Sequence, residues 1–427
     1  MSALIILWSA VQVREGPPVV QKPTFGLAFY LITVKSAHLE PYNQGVNQKL
    51  SDHLQYQTQA NQSLLKDWLI ETNERTRNIL VNLKPGQELV PTLEILNPPH
   101  WEFGHLTWFH EFWVHRKGQI SKPSLLSNAD LFFNSSEIAH TDRWTIEMPS
   151  LKSLLQYNLE VFQKTLELLQ GTVDSETEYF IQLSIFHQDM HNEAFAYMWQ
   201  TLAYAKPFER FSINSSKGNL KSGYLRFPKS TVQAGSEKHS GFIFDNEKWA
   251  HPVEVDDFSI ASRAVTNGEY LEFIEATQSH SDGERIEIPK YWKKEGSDWC
   301  QRFFDDWQLL ALDEPVRHVS YVDAQRYCEW RQVRLPTEHE LSLLMSQVDG
   351  QWQASNLWEW TSSPFMPFPE FSADPYVDYS QPWFDGNYQV LKGWSPYTPE
   401  RLRRVAFRNF YSPKRSDHFC GFRTCLL

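Results

Sequence analysis

Between Gln182 and Lys206 the chain carries neither glycine nor proline, and inside this stretch His187 and His191 stand four residues apart in FHQDMHNEAFAY, residues 186–197. Such a run builds a helix, where residues four apart stack on one face about one turn apart. Both imidazoles can therefore address one metal ion. Leu183, Met190, Ala194 and Met198 fall on or beside that face and turn the pair inward rather than toward water. Two imidazoles do not complete a stable site, so a third ligand must come from elsewhere. A buried pair that only satisfies core hydrogen bonds is the alternative.

A second helix opens at Asn97-Pro98, a capping residue followed by proline, and runs through HWEFGHLTWFHEFWVHR, residues 100–116. Trp101, His105 and Trp108 fall at i, i+4 and i+7, which puts His105 on an aromatic, buried stripe. His100, His105, His110 and His115 stand five apart, about 500° of helical turn per step, so these four cannot share one face. At most one can join the pair, and His105 has the apolar company. A core histidine donating to a carbonyl is its other reading.

Helical periodicity also covers residues 48–83, closed by Lys84-Pro85-Gly86, and resumes over Leu151–Leu169 after a loop at 117–150. Residues 48–206 thus read as four antiparallel helices, a bundle in which ligands from facing helices meet in the core. Past Lys206 the texture changes: Gly, Pro, Asn, Asp and Trp punctuate short elements. Strands are expected at Gly223–Phe227, Val253–Ile260 and Tyr388–Leu391, and short helices at Asn267–Ala276 and Tyr321–Arg331. Residues 207–427 form a loop-rich α+β domain, whose long loops suit binding and catalysis. Residues 1–47 are an extension with no assigned role.

A net charge of −12 and a pI near 5.7 argue against a nucleic-acid partner. The apolar patches LIILW and FGLAFYLITV fall short of the roughly 18 residues of a membrane span, and the first lacks the basic flank of a signal peptide. The four cysteines, Cys300, Cys328, Cys420 and Cys425, show no CxxC spacing and read as reduced thiols of a cytoplasmic protein.

The ordered blocks WEFGH (101–105), HQDMHNE (187–193), FDNEKWAH (244–251), AVTNGEYLEF (264–273), RLPTEHEL (334–341), NLWEWTSSPF (356–365) and RNFYSPKRSDHFCGFRTC (408–425) resemble the ergothioneine-type sulfoxide synthases. These are non-haem iron enzymes with a DinB-like four-helix bundle joined to a formylglycine-generating-enzyme-like domain of C-type-lectin-like α+β fold. WEFGH, HQDMHNEAFAY and NSSEIAHTDRW (134–144) favour the selenoneine-synthase branch. VLKGWSP at 390–396 and Ser355 depart from the family's usual glycines and leave loop detail near the pocket open.

The resemblance implies iron(II) held by His105, His187 and His191, with dioxygen as co-substrate. It also implies a reaction joining hercynine, a trimethylated histidine, at imidazole C2 to a selenosugar, or to cysteine, glutamylcysteine or a thiosugar in the sulfur alternative. Asn409 would contact the imidazole or the ammonium end of hercynine. Phe410 and Tyr411 would wall its pocket, since a quaternary ammonium favours aromatic faces. Met190 lines the imidazole slot or packs the core. Arg415 and Arg143 are candidates for the polar end of the second substrate, and Tyr376 or Tyr379 for a proton donor. Glu193 lies roughly 200° past His191 and is expected to bond a neighbouring helix or the second domain instead of a metal. Trp358 and Trp360 are expected in the core. A metal-dependent thiol transferase and a non-catalytic binding protein are the readings from other classes.

Overall fold

The structure, a computed structural model, describes residues 62–211, 223–278, 286–347 and 352–427. The extension 1–47 and the start of the first expected helix lie outside them. Helices α1 (Gln62–Val81), α2 (Pro99–His110), α3 (Ala129–Phe133), α4 (Leu151–Leu168) and α5 (Ser175–Leu202) precede the first strand. The long four pack on one another, α1 and α2 both against α4 and α5. Ser150 caps α4 by accepting from Ser153 N–H, and Asp174 caps α5 by accepting from Thr177 N–H. The 117–150 loop carries α3 and a 3₁₀ turn at His140–Trp144.

Two local expectations are corrected. Pro98, not Asn97, occupies the cap position of α2, and no side chain caps it, because the Asn97 amide is spent on Glu102 and Arg143. At its end α2 widens into a π turn, Glu111–His115. The i→i+5 closure brings residues five apart alongside each other. His110 and His115 therefore do share a face, both bonding Thr165 Oγ1, at 2.8 and 2.9 Å.

α5 is the axis of the whole molecule. Every residue from Thr177 to Gln200 is buried, so the helix has no solvent face. Its polar side chains divide between two sides. Gln188 and Asn192 bond Thr72 and Thr76 on α1, whereas Asp189, Glu193 and Gln200 bond residues beyond 300. A helix buried all round is packed from several sides, here by its sister helices and by the C-terminal half.

The C-terminal half is α+β. Strands β1 (Tyr224–Phe227), β2 (Ser230–Ala234), β3 (His251–Val255) and β4 (Phe258–Ala261) precede α6 (Asn267–Gln278). The single strand expected at Val253–Ile260 is two: Asp256-Asp257 breaks it, sending β3 to β2 and β4 to β1. Then come β5 (Trp292–Glu295), β6 (Asp298–Phe303), β7 (Asp306–Leu309), α7 (Tyr321–Arg331), β8 (Val333–Arg334), α8 (Glu338–Met345), β9 (Trp358–Pro364), β10 (Gln389–Gly393), β11 (Asn409–Tyr411), β12 (Cys420–Gly421) and β13 (Cys425–Leu426). Two four-stranded sheets, ordered β1-β4-β13-β8 and β11-β10-β9-β12, accompany the β2-β3 hairpin and the β5-β6-β7 meander. One continuous apolar core runs from Leu65 on α1 to Phe422. All four cysteines are free and buried. Among the described residues no helix is long and apolar enough to cross a membrane.

Candidate metal centre

α2 and α5 cross where both carry histidine. His105, His187 and His191 are buried to 1% exposure each, and one ring nitrogen from each lies within 4.8 Å of the other two. His187 Nε2 and His191 Nε2 face each other at 3.2 Å, about the separation of two nitrogen ligands on one ion with bonds near 2.1 Å.

Each ring is set by its neighbours. His105 Nδ1 donates to the Phe133 carbonyl at 2.9 Å, so its Nε2 lone pair is the one available. Phe133 is presented by α3, which Asp130 ties to Trp108 Nε1 and the Arg116 guanidinium. Gly104 lets α3 come this close, since a Cβ there would meet the Phe133 ring at 2.2 Å. Trp101 stacks on His105 at 5.2 Å and 4°, and Phe109 on His187 at 3.6 Å and 8°. His191 Nδ1 lies 2.5 Å from Glu102 Oε1. Burial, first of all, holds His105 and His187 well below the usual histidine range, so both present neutral rings with lone pairs. Three imidazoles converging in a buried site suit a divalent transition metal, iron included.

The comparisons with known proteins agree with this architecture. Residues 217–347 match the sulfatase-modifying factor enzyme 1-like domain family. The hercynine oxygenase of Mycobacterium tuberculosis is 27% identical over 393 residues, covering 77% of this chain and 91% of that one. That of Mycolicibacterium smegmatis is 25% identical over 400 residues, with the same two coverages. Ergothioneine biosynthesis protein 1 of Schizosaccharomyces pombe is 32% identical over 218 residues, 43% of this chain and 27% of that one. The chain is thus similar to hercynine oxygenases over 77% of its length. It is a two-domain α+β protein.

Tyr376, in a loop from the C-terminal half, lies against the histidines, with Tyr379 beside it. The Tyr376 ring stands 6.0 Å from His187 and 4.9 Å from Phe109. Tyr379 stacks on Phe244, and its hydroxyl points at Met190 Sδ, 3.9 Å away. Burial pushes both phenols well above the usual tyrosine range, so both hold their protons. The loop is pinned by buried polar groups: Ser380 Oγ donates to Asp245, and Lys248 Nζ to Asp374, each at 2.5 Å.

The other candidates spread further apart. Arg143 is buried, with Nη1 donating to Asn97 Oδ1 at 2.8 Å and its guanidinium 4.2 Å over Trp101, while Nε and Nη2 find no hydrogen-bond partner among the described residues. Asn409 and Tyr411 share one face of β11, and the Tyr411 ring lies 3.8 Å from that of His418, tilted by 38°. Phe410 points the other way, stacked on Phe365 at 3.8 Å, so it is a core residue of the C-terminal sheet and not a wall of the site. Arg415 is clamped on Asp417 beside Tyr411, with Nη1 lacking a hydrogen-bond partner among the described residues. Trp358 and Trp360 are buried, as expected of core residues. Glu193 does reach the second half, accepting from Trp358 and Thr398. Sequence reasoning gave Glu102 and Phe109 no role, and Asn97 only that of a helix cap. Glu102 offered one signal, a carboxylate inside a stretch otherwise aromatic and apolar.

Proposed function

We propose that the chain is a non-haem iron(II) enzyme that uses dioxygen to join imidazole C2 of hercynine to selenium of a selenosugar, with His105, His187 and His191 as the metal ligands. The oxidoreductase class and hercynine come from the relatives' names, and the DinB-like reading of residues 48–206 and the formylglycine-generating-enzyme-like reading of 207–427 from the sequence blocks. One observation carries the proposal: three buried imidazoles from two helices converge against a protonated tyrosine, Tyr376, from the other half.

The reaction balances as R–SeH plus C2–H plus dioxygen giving C2–Se(=O)–R and water. Two electrons come from making the C–Se bond and two from oxidising selenium. Bound iron(II) supplies the redox chemistry that lets dioxygen react with closed-shell partners. The protein's share is placement and exclusion of water. Three neutral ligands leave the ion's positive charge uncancelled, which favours an anionic selenolate beside it. Holding both substrates there turns a multi-body encounter into one complex. Tyr376 keeps its proton in this site and stands nearest His187, which suits it to protonate an oxygen-derived leaving group. Met190 and Tyr379 form one side of the slot, and Arg143 and Arg415 offer donors for sugar hydroxyls or, in the sulfur alternative, a carboxylate.

The test is anaerobic loading with iron(II), then air, hercynine and competing selenosugar, thiosugar, cysteine and glutamylcysteine, read by mass spectrometry. A C2-selenoxide made preferentially from the selenosugar is expected. A product from sulfur donors alone overturns the selenium assignment, and no C2-modified product from any donor overturns the enzyme reading. Oxygen-independent thiol transfer would indicate the transferase instead.

A further inference from the structure

Glu102 sits three residues before His105 on α2 yet serves the other ligand helix. It is fully buried. Oε1 faces His191 Nδ1 at 2.5 Å, and Oε2 accepts from Asn97 Nδ2 at 2.6 Å. Asn97 Oδ1 in turn accepts from Arg143 Nη1 at 2.8 Å, and Arg143 lies over Trp101, the ring stacked on His105. The chain Arg143–Asn97–Glu102–His191 therefore crosses the site behind its ligands.

We infer that Glu102, oriented by Asn97, is a positioning residue that fixes the tautomer of His191 and strengthens it as a donor, and so sets metal affinity and the ferric/ferrous potential. The inference rests on the three-histidine metal site proposed above. A carboxylate accepts only from N–H, so Nδ1 carries the proton and Nε2, facing His187 Nε2, keeps its lone pair. A carboxylate behind a ligating imidazole also pushes negative charge into the ring and makes it the more basic ligand. The three ligands are not backed alike. His105 has a neutral carbonyl behind it, and His187 Nδ1 has no hydrogen-bond partner among the described residues, with the Phe109 face against its ring. One imidazole of three thus carries anionic character to an otherwise neutral ligand set. A carboxylate placed purely for stability would be expected to meet its arginine directly. Here Asn97 intervenes, which aims both oxygens of Glu102 and keeps the guanidinium from competing with His191.

The experiment compares full-length wild type, Glu102→Gln, Asn97→Ala and His187→Ala. Anaerobic iron(II) affinity is measured by competition with a chelator, ligand geometry by the visible spectrum of the cobalt(II) form, and the ferric/ferrous potential by redox titration. Glu102→Gln keeps the shape and is expected to lose about 10–100-fold in iron affinity, to shift the cobalt bands and to raise the potential. Asn97→Ala, which keeps the carboxylate but frees it, should move all three in the same direction by less. It decides the matter if Glu102→Gln does not fold. Affinity within about threefold of wild type, with unchanged cobalt bands, in whichever of these variants folds would overturn the inference. If wild-type binding is indifferent to His187→Ala, it is the metal-site reading that fails.

Discussion

Trp358 on β9 donates its indole N–H to Glu193 on α5 at 2.6 Å, so the helix that carries the two paired histidines is bolted to the C-terminal sheet one half-turn past its second ligand. The other oxygen of Glu193 accepts from Thr398 Oγ1, also at 2.6 Å. Four residues earlier, Asp189 takes the Arg401 guanidinium at 2.6 Å from both Nε and Nη2. The C-terminal half is thereby fixed to the helix that bears the paired histidines.

Glu193→Ala is expected to leave two buried donors unsatisfied and to destabilise the protein by about 2–6 kcal/mol, at about 1–3 kcal/mol for each group. Iron affinity should change little, since the ligands stay on their helices. Urea unfolding, together with chelator competition at low temperature, separates the two. A large loss of iron affinity without a loss of stability would mean that Glu193 belongs to the metal site.

Much of this was legible because it depends on short-range spacing. HxxxH on a run free of breakers fixes two imidazoles on one face, and the aromatic stripe around His105 selects it over His100, His110 and His115. The angle from His191 to Glu193 likewise excludes ligation and sends that carboxylate elsewhere. What escaped depends on long-range or non-standard backbone. A π turn cannot be read from five-residue spacing judged by α-helical geometry, so His110 and His115 were placed on different faces. Glu102 gains its role only when Asn97 and His191, 94 residues apart in sequence, meet around it. The alternation on β11 that turns Phe410 toward Phe365 needed a register that no motif supplies.

Gly104 is a packing requirement of the site. An alanine there puts Cβ at 2.2 Å from the Phe133 ring, and either the ring or α2 must move. Overpacking of this kind costs about 1–3 kcal/mol. The same displacement draws the Phe133 carbonyl from His105 Nδ1, so Gly104→Ala should lose stability and iron affinity together. Adding Phe133→Leu, which removes the ring atoms nearest that Cβ, should recover part of both. Thermal melts with and without iron(II) check it, and an unchanged Gly104→Ala would refute the contact.

Tyr376 and Tyr379 are separable by single-oxygen changes. Tyr376 packs its ring among Phe109, Trp113 and His187, contacts that Tyr376→Phe retains. Folding and iron affinity should therefore hold, while C2-modified product falls at least about 100-fold, the scale of a lost general acid. Among the described residues the Tyr379 hydroxyl bonds a thioether sulfur at 3.9 Å, a weak bond, so Tyr379→Phe should keep most turnover. Mass spectrometry with oxygen consumption on both variants decides. Equal losses, or a larger loss at Tyr379, would reassign the donor.

Asp245 gives the tyrosine loop a dependence on pH. Burial, and then the neighbouring Asp374, push its carboxyl up to about 7 from an ordinary value of 3.8. A raised acid binds its proton more tightly in the folded chain than in the unfolded one. Its contribution to stability is therefore complete below about pH 4 and is lost as pH rises through about 7. Lys248 beside Asp374, and the Ser380 hydroxyl on Asp245 itself, moderate the shift without reversing it. Asp245→Asn holds an uncharged side chain at every pH and should flatten this part of the curve. Urea midpoints at pH 5, 6 and 7.5 are expected to fall more steeply in wild type than in the variant. Parallel slopes would show that Asp245 titrates alike in the folded and unfolded chain, and that the loop is held independently of its charge.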